Sequence, residues 1–164
     1  MSRRSPGRRQ SAKRLPLSVL VRKAEQFDKT NQFVANHEHA RIIWEALNHA
    51  VFNGVLEFPE KIIIQDRKKW DFWGECEGWQ RGHRYGPHYT KAIRLQKTYL
   101  DPKRFIDVMA HEMVHQYEWD ILNKSMTHRQ SFFMWREQLD KFNIDLKTYH
   151  VQRRWFKFQS FKKS

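Results

Sequence analysis

The stretch Ala110-His111-Glu112-Met113-Val114-His115-Gln116 constrains this chain more than any other. It contains the pattern His-Glu-x-x-His. On an α-helix, residues four apart stand one above the other on the same face. His111 and His115 can therefore each aim an imidazole nitrogen at one Zn²⁺ ion, one per chain. Glu112, beside them, is placed to take a proton from an attacking water. The pattern works only on a helix, and its flanks predict one. Asp101-Pro102 reads as N-cap and first helical residue. Phe105, Ile106, Met109, Met113 and Tyr117 then recur at helical spacing. Val108, His111, His115 and Glu118 fall on the other side, which predicts a helix with one face for the core and one for a metal.

A catalytic zinc usually has three protein ligands and an open position. Three candidates for the third ligand follow the motif. Glu118 is on the same helix face, where it would crowd the turn that carries His115. Asp120 points elsewhere. His128 lies past a turn, Asn123–Thr127, on a helix that can fold back, and is favoured over Glu118. Met-turn proteases need a Gly three residues after the second His; that position is Glu118 here, which excludes the class.

Charge is the next constraint, because it is so unevenly placed. The net charge is +13. Residues 1–14 hold Arg3, Arg4, Arg8, Arg9, Lys13 and Arg14 and no acid. Residues 150–164 hold Arg153, Arg154, Lys157, Lys162 and Lys163 and no acid. The body between them is close to neutral. A neutral body with two basic ends predicts a polyanionic partner, most simply nucleic acid. Trp155, Phe156 and Phe158 stand among the C-terminal charges and could stack on unpaired bases, so single-stranded DNA is included. Arg3, Arg4, Arg8, Arg9, Arg153, Arg154, Trp155 and Lys157 are the candidate contacts. The interleaved basic and aromatic residues of Gln80–Thr90 are a further one.

The chain divides into a basic arm (1–14) expected to be disordered, a domain (15–149) and a basic-aromatic segment (150–164). Leu17, Leu20, Val21, Ala24 and Phe27 predict a short helix. A second helix, from about His37 to Phe52, ends at Asn53-Gly54. Lys61–Gln65 reads as a strand, the middle of Trp70–Trp79 as a second, Gln80–Thr90 as a loop and Lys91–Gln96 as a third strand. Thr127 and Gln130 have capping-box spacing for a helix carrying Phe132, Phe133, Trp135, Leu139 and Phe142. His37, His39 and His49 read as packing or surface residues. Cys76, the single cysteine, rules out an internal disulfide and a cysteine zinc ribbon. No apolar run is long enough to span a bilayer, and the basic N-terminus lacks the apolar core of a secretory signal. An intracellular place is expected, cytoplasm or nucleoid, with virion association as a variant.

From about His37 to Phe142 the sequence resembles the SprT-like metalloproteases, the family that includes Spartan. The resemblance is carried by Phe52-Asn53-Gly54-Val55-Leu56 after a helix, Gly74-Glu75-Cys76 on a strand and Ile93-Arg94-Leu95 on the next. His111-Glu112-x-x-His115 follows, then His128 with Phe132. In that family the last His, usually in His-Gly-x-x-Phe, is the third zinc ligand; Arg129 replaces the Gly here. The resemblance implies an α+β zincin-like domain, a small three-stranded sheet packed on helices, that cleaves proteins, often those attached to DNA. His111, His115 and His128 would hold zinc, with Glu112 as general base. Tyr117, Tyr149 and Arg136 are the candidates for stabilising the oxyanion. The alternative reading is a non-catalytic or virion-associated nucleic-acid-binding protein with a zinc site.

Overall fold

The computed structural model describes residues 14–66, 72–80 and 87–147. Arg3, Arg4, Arg8, Arg9, Arg153, Arg154, Trp155 and Lys157 therefore lie outside the described residues, as does Tyr149. In chain order the elements are α1 (Leu17–Glu25), β1 (Phe33–Val34), α2 (His37–Ala50), β2 (Lys61–Gln65), β3 (Gly74–Gln80), β4 (His88–Gln96), β5 (Thr98–Tyr99), α3 (Pro102–Asp120), α4 (Gln130–Phe133) and α5 (Arg136–Asp140). The order β2-β4-β3 makes a three-stranded sheet, with β2 parallel and β3 antiparallel to β4. The fold class is the α+β one expected. The two-residue ladder between β1 and β5 is additional.

The helices form for legible reasons. Leu17, Val21 and Ala24 recur along one stripe of α1 and are buried. The Asn36 side chain accepts from the His39 N–H at 2.8 Å and caps α2. The helix ends at Ala50 with Val51 as its cap, and Asn53 and Gly54 then turn into the left-handed region, φ 55° and 72°. Asn48 then holds the chain that follows: its Nδ2 donates to the Leu56 carbonyl and its Oδ1 accepts from the Leu56 N–H. Asp101 caps α3 through the Arg104 N–H at 2.8 Å, with Pro102 opening the helix.

α3 departs from its expected two-faced character. Every residue of α3 from Phe105 to Gln116 is buried. The sheet covers one side and α1, α2 and α4 pack around the rest, so α3 is the central rod of the fold. Ile62, Ile64, Cys76, Ile93 and Leu95, from all three strands of the larger sheet, join the core. Gly74 and Gly78 let β3 lie directly on the rod. A Cβ on Gly74 would stand 2.7 Å from Glu112 Oε1 and 2.9 Å from Val108 Cγ1, and one on Gly78 would stand 2.6 Å from the Trp119 ring. Gly74→Ala is expected to destabilise the fold by about 1–3 kcal/mol through overpacking. Urea denaturation measures this, and an unchanged midpoint would mean that β3 has room to move.

Two local expectations are corrected. The predicted loop Gln80–Thr90 is corrected at its ends, where Gln80 belongs to β3 and His88, Tyr89 and Thr90 belong to β4; its middle, 81–86, lies outside the described residues. Trp119 Nε1 reaches the carbonyls of both Trp79 and Tyr89 at 3.0 Å, and Thr90 Oγ1 donates to Asp120 at 2.9 Å. α3 thus holds the ladder together beyond where strand propensity fades. The capping box at Thr127 is not formed. The Thr127 N–H donates instead to Glu118, α4 begins after Arg129 without a side-chain cap, and the single predicted helix is split into α4 and α5. A buried carboxylate on α3 attracts the amide more strongly than a local cap does.

Candidate metal centre

His111 and His115 project from the middle of α3, one turn apart, and His128 comes from the segment just before α4. The three Nε2 atoms converge: His111 to His115 at 3.2 Å, His115 to His128 at 3.1 Å and His111 to His128 at 3.1 Å. Phe132 forms the floor beneath them, fully buried, with its ring centroid 4.8 Å from that of each histidine.

The proton positions are dictated by what lies behind the rings. His111 Nδ1 is 2.8 Å from the Lys147 carbonyl, which can only accept, so this nitrogen carries the proton. His115 Nδ1 is 3.0 Å from Glu118 Oε2 and donates to that carboxylate. In neutral imidazoles both Nε2 atoms then present lone pairs, 3.2 Å apart and facing each other. No hydrogen can lie between them. Desolvation favours these neutral forms, holding buried His115 and the more open His128 below the usual imidazole pKa, with Glu118 acting in the opposite sense on each. Neutral nitrogens turned inward on a common point fit a cation, and His111, His115 and His128 form a group that could hold a metal ion.

Glu118 is where the residue-by-residue expectation is most usefully revised. It is fully buried and lies outside the group of converging nitrogens. Besides the His115 imidazole, it accepts from the Thr127 N–H at 3.1 Å and from Ser131 Oγ at 2.5 Å. These donors flank His128. One carboxylate therefore orients one histidine directly and draws the segment carrying another onto the helix. Glu118→Gln is expected to weaken metal affinity about 10–100-fold, the usual cost of losing an outer-shell partner. Chelator competition reads this directly, and wild-type affinity would deny Glu118 that role.

Glu112 packs against β3. Burial raises its pKa to about 8, the Glu75 charge adds to this, and the Cys76 backbone N–H opposes it. It sits under Gly74, next along the helix from His111. Asp120 is engaged by Thr90 and Gln116 and takes no part in the cluster. The Tyr117 ring is packed 4.8 Å from Trp135 and 6.0 Å from Phe52. The Arg136 guanidinium lies over the Phe133 ring. Sequence reasoning missed the Lys147 carbonyl and the Ser131 hydroxyl. Alternating apolar residues at Ile144 and Leu146 were the available signal for the first; a lone Ser offers none.

A buried helix bearing paired histidines beneath an edge strand, with a third histidine folded back from the next segment, is an architecture of metallopeptidase type. The chain belongs to the SprT-like family, whose model matches residues 25–150. No curated protein and no solved structure matches it. Among the described residues, no helix is long and apolar enough to cross a membrane.

Proposed function

We propose that the protein is a zinc-dependent endopeptidase of SprT-like type that acts on proteins bound to or near DNA. The observation that carries this reading is Glu112: a titratable carboxylate buried beside three convergent imidazoles, outside the metal-holding group. A purely structural zinc site has no use for such a residue, which weighs against the non-catalytic alternative.

Zinc at this centre would supply Lewis acidity, polarising the scissile carbonyl and lowering the pKa of a water. His111, His115 and His128 would hold it, with tautomers already set by Lys147 and Glu118. Glu112 would accept the proton of the attacking water and return it to the leaving amine. Among the described residues β3 pairs only with β4, and a substrate strand added along its outer edge would pass close to Glu112. The basic ends, with Trp155 among their aromatics, would bring the enzyme to nucleic acid.

The test is cleavage of a DNA-binding protein by the zinc-loaded chain, with single-stranded, duplex or no DNA. Cleavage is expected to stop with chelator, return with zinc and rise with DNA, the rise disappearing at high salt. Cleavage that survives chelation would overturn the zinc mechanism. A rate indifferent to DNA would remove the nucleic-acid partner.

A further inference from the structure

We infer that residues 144–147 form a strap that positions the ligand His111, and that Asp107 is the side chain that fastens this strap to α3. The inference deepens the metal-site reading above and rests on it. Asp107 and His111 are four residues apart, hence on one face of α3. The strap crosses that face with matching contacts two residues apart. The Asp145 N–H donates to Asp107 Oδ1 at 3.2 Å, and the Lys147 carbonyl accepts from His111 Nδ1 at 2.8 Å. Two extended residues advance about 6.6 Å and four helical residues about 6 Å, so strap and helix stay in step over this distance.

Between those polar contacts the strap is pinned by apolar ones. Ile144 and Leu146 alternate into the core, 1% and 2% exposed. Arg136 Nε donates to the Leu146 carbonyl at 3.4 Å. Asp107 is itself buried and held by Lys103 Nζ at 2.6 Å. The group that orients His111 is a backbone carbonyl 36 residues away. Nothing in its own side chain places it. Its position depends on how firmly the strap lies on the helix, and Asp107 is the side chain from α3 that grips the strap's main chain. Asp107 is therefore a positioning residue for the metal centre.

The experiment compares wild type with Asp107→Ala in the full chain. Zinc affinity is read by chelator competition, and the histidine Nδ1–H resonances by NMR of the cobalt-loaded protein. The variant is expected to bind zinc about 10–100-fold more weakly. Its His111 Nδ1–H should be lost to solvent exchange, while that of His115, held by Glu118, persists. Lys103→Ala leaves the bond between Asp107 and Asp145 in place and should bind zinc close to wild type. Unchanged affinity with both resonances retained overturns the strap. Loss of both resonances together also overturns it, since that marks a general structural effect. If Asp107→Ala does not fold, Leu146→Ala, which loosens the same segment from its apolar side, is read in the same way. A wild-type chain that takes up neither zinc nor cobalt overturns the metal-site reading itself, and the strap's role with it.

Discussion

Glu112→Gln should leave zinc bound and the fold intact while lowering peptide hydrolysis by at least about 10²-fold, the lower end of what a general base contributes. Glutamine has the same shape, so it fits beneath Gly74 where a larger group would not. Its amide oxygen can still accept from the Cys76 N–H that now reaches Glu112. What it cannot do is hold a proton at neutral pH. Zinc content should not change, because Glu112 is not part of the convergent group. Stability should not fall either. The carboxylate is buried, its charged form is penalised there, and an amide removes that penalty. Single-turnover kinetics, metal analysis and a melting curve on one preparation separate these effects. Wild-type turnover in the variant would refute the assignment of Glu112, and loss of zinc would make Glu112 a ligand instead.

His128→Ala should have the largest effect on the metal itself. Its Nε2 lies 3.1 Å from both other nitrogens, and among the described residues no other side chain belongs to the group. Removing it should cost well beyond the 10–100-fold typical of outer-shell partners and abolish hydrolysis with the metal. The fold should survive. His128 is exposed, and the contacts that seat its segment are made by Thr127 and Ser131 on Glu118. The comparison with Glu118→Gln is decisive. If His128→Ala keeps its zinc and Glu118→Gln loses it, the ligand set has been assigned to the wrong side chain.

The parts of the fold that were legible in the sequence are those set by local chemistry. Asp101-Pro102 announced the start of α3, Asn53-Gly54 the end of α2, and the β-branched run Lys61–Gln65 the whole of β2. The convergence of His111 and His115 was readable because residues four apart on a helix share a face. His128 was readable only as one of several downstream candidates, since its distance from the helix is a tertiary property. What the sequence concealed depends on partners far along the chain. The burial of α3 on all sides could not be read from its own periodicity, because His111, Glu112, His115 and Glu118 are polar yet enclosed by the fold. The aborted capping box at Thr127 has the same origin: a local preference lost to a carboxylate nine residues away. The extension of β4 to His88 depends on Trp119, another long-range partner.

The strap also has a consequence in time. A domain folds as a unit, but synthesis delivers its segments in chain order. Everything that frames the centre up to Glu118, the strands and the central helix included, has been synthesised while residues 144–147 are still to come. During that interval His111 lacks the carbonyl that fixes its tautomer, and His128 is only just arriving. The nascent chain thus carries the helix before it carries every residue of the candidate centre. On the proposed reading, zinc capture would then be a late step in maturation, and a half-made protease would stay unarmed next to the machinery that is synthesising it.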